Sequence, residues 1–247
     1  MSTPAHQHNT TMAFRIDDLI VYEDENLVAV NKPSGMLTIP DREGVAGLRN
    51  GLQDKYGSIF TVHRLDRDTS GLVIFARNEV AHRHFSMQFE ERSTRKVYNG
   101  FVLGTPHITE GVIDEPIAEH PTKKGVMTVW RKGKESVTEF TVLEQFRLYA
   151  WMEFRILTGR THQIRVHMKH LGHPIVCDPI YGDGRPVLLS EFRKKFNLGK
   201  FEEERPLLNR LALHASKLTL KNLDGDEITL EAPLQKDMKA TLQQLRK

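Results

Sequence analysis

The stretch Val62–Ala76 reads VHRLDRDTSGLVIFA. Its second half, from Gly71 to Ala76, is an unbroken apolar run, and a run this short between turn-forming residues is predicted to be a buried strand. The first half sets two aspartates, two arginines and a histidine at the mouth of that strand. A carboxylate there, flanked by cations, can stay ionised in a sheltered place and serve as nucleophile or base. Asp66 is the first candidate for that role. The plainer alternative is a polar loop in which Asp68 and Thr69 make local turn bonds.

Outward from this strand, the pattern mixes strands with separated helices. Leu19–Val30 gives two β-rich runs around Glu-Asp-Glu-Asn, a predicted hairpin that ends at Asn31-Lys32-Pro33-Ser34-Gly35. Val45, Leu48, Leu52 and Tyr56 recur at helical spacing before Gly57, and Val80, Ala81, His84, Phe85 and Phe89 share a second helical face. Lys96–Leu103, TEFTVLEQF and YAWMEFRIL are predicted strands. Thr161 is expected to cap a helix carrying Ile164, Met168 and Leu171, with Gly172 ending it. A short helix is expected over Ser190–Leu198, a hairpin over Leu218–Leu230 around Asp224-Gly225, and a closing helix with Met238, Leu242 and Leu245. These elements make an α+β fold on a largely antiparallel sheet. Residues 1–15 read as a flexible tail and residues 16–247 as one domain, because no repeat, linker or break in composition divides them.

Composition narrows the function classes. The chain has 247 residues, 39% hydrophobic and 27% charged, ordinary usage for a globular protein. The single cysteine, Cys177, forms no internal disulfide and rules out a zinc ribbon, which fits a reducing cytoplasm. The formal charge of +3 permits a polyanionic partner without requiring one. No stretch approaches the roughly 18 apolar residues that span a bilayer.

Two further segments carry charge of a useful kind. Thr158–His173 reads TGRTHQIRVHMKHLGH, where a glycine and a capped helix would expose backbone donors beside Arg160, Arg165 and Lys169. Such a cluster grips phosphates, although a solvated helix face would look the same. The segment also holds His162, His167, His170 and His173. A metal is not expected there, because HExxH and paired cysteines are absent and Arg165 and Lys169 would oppose a cation. Arg95-Lys96-Val97-Tyr98-Asn99-Gly100 sets a tyrosine on a strand beside cations, an arrangement suited to stacking on an extruded base. A half-buried strand tyrosine with a wet hydroxyl is the plainer alternative.

Taken together, three segments resemble the RluA family of RNA pseudouridine synthases. His63-Arg64-Leu65-Asp66 followed by Thr69-Ser70-Gly71 is similar to that family's signature, Arg95–Gly100 to its tyrosine motif, and Gly159-Arg160-Thr161-His162-Gln163-Ile164-Arg165 to its later arginine motif. Asn31-Lys32-Pro33-Ser34-Gly35 and Leu213-His214-Ala215 also match family landmarks. The resemblance implies one mixed, mostly antiparallel central sheet flanked by helices, with the cleft across its middle. It implies conversion of uridine in structured RNA, ribosomal or transfer, to pseudouridine without metal or organic cofactor. By this resemblance Asp66 is the essential carboxylate, Arg165 pairs with it, and Tyr98 stacks on the uracil and assists removal of the C5 proton. Arg64 fills the space left by the extruded base and Ile164 lines its pocket. Arg67, Arg95, Lys96, Arg160 and Lys169 are the candidate backbone contacts, which position RNA without selecting its sequence. A cytoplasmic monomer is expected. The charged stretch from Asp183 to Asn209 matches no motif and reads as a lid, as an RNA-contacting insertion or, more plainly, as a surface elaboration. Two rival functions stand beside this one: an RNA-binding protein without catalysis, and a histidine-dependent metallohydrolase.

Overall fold

The computed structural model describes residues 15–193 and 203–247. After a 3-10 turn at Ile16–Leu19, β1 (Ile20–Glu23) and β2 (Leu27–Lys32) form an antiparallel hairpin. Asp24 closes it by accepting the backbone N–H groups of Asn26 and Leu27 at 2.7 and 2.8 Å. Helix α1 (Leu48–Tyr56) buries Leu48 and Leu52 and stops at Gly57, whose φ of +77° suits a residue without Cβ. Val45, expected on that face, lies outside the helix and is exposed. The short β3 (Phe60–Thr61) precedes β4 (Ser70–Ala76), every residue of which is buried.

Asn78 caps α2 (Glu79–Glu90) by accepting the Ala81 N–H at 2.9 Å, as the residue type favours. Phe85 and Ala81 face the core, whereas Val80, placed on the same face by its spacing, points to solvent. His84 is half-buried at the sheet edge rather than in the core, with Nε2 3.0 Å from the Lys221 carbonyl.

The chain continues through β5 (Arg95–Leu103), β6 (Glu110–Asp114), β7 (Ile117–Glu119), β8 (Met127–Val129), β9 (Val137–Gln145) and β10 (Tyr149–Ile156). Then come α3 (Gln163–His170), a 3-10 turn at Leu189–Glu191, β11 (Leu213–Lys221), β12 (Glu227–Glu231) and α4 (Lys236–Leu245). The helix expected over Ser190–Leu198 begins only as that 3-10 turn, and its remainder from residue 194 lies outside the described residues, as does most of the tail expected over residues 1–15.

The strands run in the order β1-β2-β4-β11-β5-β10-β9-β6, with β3 and β12 attached to β4 and β11, and β7-β8 standing apart as a small hairpin. The sheet is mixed but mostly antiparallel: β4 and β11 are its one parallel pair among the described residues. That pair joins only Ser70 to His214 and Gly71 to Ala215. Gly71, at φ +112°, makes the close approach possible, since a Cβ would fall onto the Ala215 carbonyl oxygen and 2.6 Å from its nitrogen. Beyond the junction the strands part, and His63 Nε2 accepts the Ile74 N–H at 3.1 Å that β11 leaves unpaired.

The core divides around this sheet. Phe101, Trp151, Met152, Phe154 and Met168 pack with α3 and α4 on one half, while α1 and α2 cover opposite faces of the other half through Leu52 and Phe85. The register aligns Gly71, Ala215, Tyr98 and Phe154 in one row across β4, β11, β5 and β10. The signature loop before β4 and the tyrosine of β5 are thus brought to the middle of the sheet although 32 positions apart in sequence.

Candidate active site

Residues 32–38 hold the loop that carries Asp66. Lys32 is fully buried at the end of β2, and its Nζ donates to the carbonyls of Pro33, Met36 and Arg67 at 3.1, 2.8 and 2.9 Å. Burial pushes this amine down to about 7. Ser34 Oγ donates to the Asp68 carbonyl at 2.6 Å, and Thr38 bonds both the Leu65 carbonyl and its N–H. Gly35 N–H also donates to Arg67 O at 2.9 Å. The Asn-Lys-Pro-Ser-Gly landmark is therefore a clamp on the backbone of Arg67 and Asp68, and Thr38 extends it to Leu65.

On this clamp Asp66 faces a cleft of about 280 Å³. Its side chain is 28% exposed and accepts no hydrogen bond among the described residues, its nearest ionisable partner being His162 Nε2 at 4.0 Å from Oδ2. Tyr98 lines the same cleft from β5. Burial first, and the Asp66 charge second, push its phenol well above the ordinary range, so it stays protonated at neutral pH.

Helix α3 closes the other side. It starts from His162, not from Thr161: His162 occupies the cap position in the left-handed region (φ +57°, ψ 19°) and its side chain makes no capping bond. Gln163 instead ties down the turn before the helix, its Oε1 accepting the Arg160 N–H at 3.0 Å and the Thr158 hydroxyl at 2.7 Å. At the far end, Gly172 N–H bonds Lys169 O and His173 N–H bonds Met168 O, the glycine stop expected there. Leu171 is exposed and takes no part in the buried stripe.

Arg165 corrects one expectation. Its Nε and Nη2 donate to Asp178 Oδ2 and Oδ1 at 2.7 and 2.8 Å, so its partner is Asp178 and not Asp66. A planar guanidinium matches both oxygens of one carboxylate, and Asp178, fully buried, has no other cation within 4.0 Å among the described residues. Asp66 feels Arg165 only through space, as a charge that helps hold the guanidinium protonated.

A family model described as RNA pseudouridylate synthase matches residues 26–170. The chain belongs to that family. It is 38% identical to ribosomal large subunit pseudouridine synthase D of Escherichia coli over 92% of this chain and 70% of that one. It is 35% identical to the RNA pseudouridine synthase YlyB of Bacillus subtilis over all of this chain and 79% of the relative. Among solved structures, human RNA pseudouridylate synthase domain containing 4 superposes with a TM-score of 0.71 at 26% identity, covering 94% of both chains. Domain containing 1 gives 0.70 at 25% identity over 96% and 98%. The synthase is thus an isomerase that converts uridine to pseudouridine in RNA.

Of the residues singled out in the sequence, the synthase gathers Arg64, Asp66, Tyr98, Arg160, Ile164 and Arg165 around one cleft. Arg64 is exposed and unbonded among the described residues, and Ile164 is buried in the wall. Arg160 Nε is tied to the Glu135 carbonyl at 3.0 Å, and Arg67 Nε to the Gly35 carbonyl at 3.1 Å. Lys169 is exposed, its Nζ 5.8 Å from the Tyr181 ring beside the cleft. Neither Arg67 nor Lys169 lines the cleft, and two further basic candidates lie farther from it. Lys96 is buried against the Phe89 ring, 5.7 Å from its centroid, and cannot reach a phosphate from that position. Arg95 is exposed beside His84 and Gln88, away from the cleft.

Asp178 and Tyr181 belong to the site and were missed, since they lie past the recognised motif in a stretch with no periodicity. The four histidines considered as ligands are dispersed: His167 bonds Thr138 Oγ1 and the Glu115 carbonyl, His173 the Leu103 carbonyl and His162 the Tyr181 hydroxyl, while His170 is exposed.

Proposed function

We propose that this synthase isomerises a uridine held within folded large-subunit ribosomal RNA, acting as a monomer in the cytoplasm, with Asp66 as the reacting carboxylate. The observation that carries the proposal is a carboxylate that accepts no hydrogen bond among the described residues, standing in an open cleft that Tyr98 also lines. The reaction breaks the bond from ribose C1′ to N1, turns the uracil and joins C1′ to C5, while the C5 proton is given up and N1 gains one. The geometry serves either attack of Asp66 at C1′ or removal of the 2′ proton by the same oxygen.

Tyr98 offers its ring to the uracil, where stacking of an aromatic on a base contributes about 1–3 kcal/mol. Its raised proton affinity favours this stacking role over service as a base. Ile164 forms the apolar wall of the same pocket. A uridine in a helix must leave its stack at a cost of a few kcal/mol, and Arg64, free and exposed at the rim, is placed to fill the gap. Arg160 in the cleft wall, with the exposed Arg67 and Lys169 outside that lining, would serve as phosphate contacts. The ribosomal substrate rests on likeness to synthase D, whose name carries that target.

Incubation of the purified protein with large-subunit ribosomal RNA and with bulk transfer RNA, followed by mass-spectrometric mapping, tests the proposal. New pseudouridine in ribosomal RNA, lost in Asp66→Asn while RNA binding persists, is the expected result. Modification of transfer RNA alone would overturn the substrate, and an active Asp66→Asn would overturn the role.

A further inference from the structure

We infer that His162 is a positioning residue for the reacting carboxylate: its Nε2–H donates to Asp66 and fixes the oxygen that meets the ribose. This deepens the proposed role of Asp66 and rests on it. Asp66 accepts no hydrogen bond from the described residues, and the guanidinium expected to hold it is committed to Asp178 through two bonds. His162 Nε2, 4.0 Å from Asp66 Oδ2, is the one basic group within that distance among the described residues. Closing from there to hydrogen-bond distance takes a turn of the aspartate side chain, and catalytic bonds that are long in a free enzyme often tighten when substrate is bound.

The proton on His162 is already assigned by its neighbours. Tyr181 Oη accepts the Met127 N–H at 2.8 Å and lies 2.8 Å from His162 Nδ1. A phenol has one proton to donate, and Nδ1 is the acceptor within reach of Oη among the described residues. The neutral ring then carries its own proton on Nε2, the atom that faces Asp66. Burial, the largest influence on this imidazole, pushes it below the usual histidine range despite the opposing charges of Asp66, Asp178 and Asp68, and with Arg165 acting in the same direction as burial. The donor is therefore uncharged. It orients the carboxylate without the strong charge pairing that would blunt its reactivity.

The backbone is shaped for the same end. His162 sits at φ +57°, a region rarely taken by residues other than glycine and asparagine, and yet its side chain leaves the helix end uncapped. The turn instead aims the ring into the cleft, edge-on to Tyr181 at 5.5 Å between centroids.

The test uses an in vitro transcript of large-subunit ribosomal RNA, with single-turnover rates and filter-binding affinities for wild type, His162→Phe, His162→Gln and Asp66→Asn. His162→Phe removes the donor and keeps the bulk; the rate is expected to drop about 10- to 100-fold, as for loss of a bond to a charged group, with RNA affinity within about two-fold. His162→Gln, which returns an N–H at similar reach, should recover most of the rate. A His162→Phe rate equal to wild type, a glutamine variant as slow as phenylalanine, or a loss seen wholly in affinity would each overturn the inference. If Asp66→Asn is inactive while His162→Phe is not impaired, only the positioning role fails; an active Asp66→Asn removes the role of Asp66 itself. Nitrogen NMR of the wild-type ring at pH 7.5 gives an independent reading: a proton on Nε2 and none on Nδ1 is expected, and the opposite tautomer or an imidazolium refutes the assignment.

Discussion

Arg165 and Asp178 form a two-point ion pair at 2.7 and 2.8 Å, with side chains only 2% and 0% exposed. The pair anchors more than itself, because Asp178 Oδ1 also accepts the N–H groups of Ile180 and Tyr181 at 2.9 and 3.1 Å. Through Tyr181 the same carboxylate fixes the hydroxyl that reaches His162. Removing one partner of an enclosed pair leaves the other charge without water or counter-ion, at a cost of about 3–5 kcal/mol. Asp178→Ala is expected to lose that much in urea unfolding followed by circular dichroism. The double change Arg165→Met with Asp178→Leu should recover much of it; a double loss equal to the sum of the two single losses would show that no coupling exists.

A second chain of bonds runs from the closing helix to the parallel junction. Arg210 holds Asp237 through Nε and Nη2, both at 2.6 Å, and its Nη1 donates to Ser70 Oγ at 3.2 Å. Ser70 Oγ lies 3.0 Å from His214 Nδ1, and His214 Nε2 lies 3.2 Å from the Ala232 carbonyl. The Ala232 carbonyl requires a proton on Nε2, and in the neutral ring Nδ1 is then an acceptor for Ser70 Oγ, which also lies 3.3 Å from the Leu213 carbonyl. Burial pushes that imidazole down to about 4, whereas the unfolded chain binds its proton near 6.5. Between those values the unfolded state holds more protons than the folded one, so stability is complete above about pH 6.5 and declines as pH falls toward 4. The separation corresponds to about 3 kcal/mol. Urea midpoints measured from pH 7.5 to 4.5 should fall, and His214→Gln should flatten the slope; an unchanged slope would remove His214 as its source.

Much of this was legible in the sequence, for physical reasons that differ by element. The run Gly71–Ala76 announced its burial because a strand covered on both faces has no polar position to spare. Gly57 and Gly172 marked helix ends because left-handed backbone favours a residue without Cβ. The motifs brought Asp66, Tyr98 and Arg165 to one cleft. What could not be read was the partner of each charge. Arg165 chose Asp178 over Asp66 by packing geometry that spacing does not encode, and Lys96 went inside against Phe89 although its neighbour Arg95 stays in solvent. His162 was weighed as a metal ligand, yet its ring is defined by a tyrosine from a segment with no signature.

Gly71 offers a direct test of the junction. Its φ of +112° and the absence of room for a Cβ against the Ala215 backbone mean that alanine must either strain or push β4 and β11 apart. Small-to-large changes in packed regions cost about 1–3 kcal/mol, and the backbone conformation adds to that. Gly71→Ala is expected to melt several degrees below wild type and to lose activity in proportion to the displacement of the Asp66 loop. By contrast Gly125→Ala, on the β7-β8 hairpin with open space around it, should lose much less in the same melt. Equal losses at both sites would show that the junction imposes no special demand.

Arg64 separates stability from function. It is exposed and makes no hydrogen bond or ion pair among the described residues, so Arg64→Ala should leave the melting temperature within about one degree of wild type, as for surface changes away from special features. On the proposal that it fills the vacated stack, the variant should slow modification of a folded ribosomal RNA fragment. It should have little effect on a short single strand of the same sequence, where no pairing has to be broken. The ratio of the two single-turnover rates is the quantity to measure. A loss that is equal on both substrates would make Arg64 a plain phosphate contact, and its salt dependence would then weaken by about one counterion; no loss on either would leave the wedge to another residue.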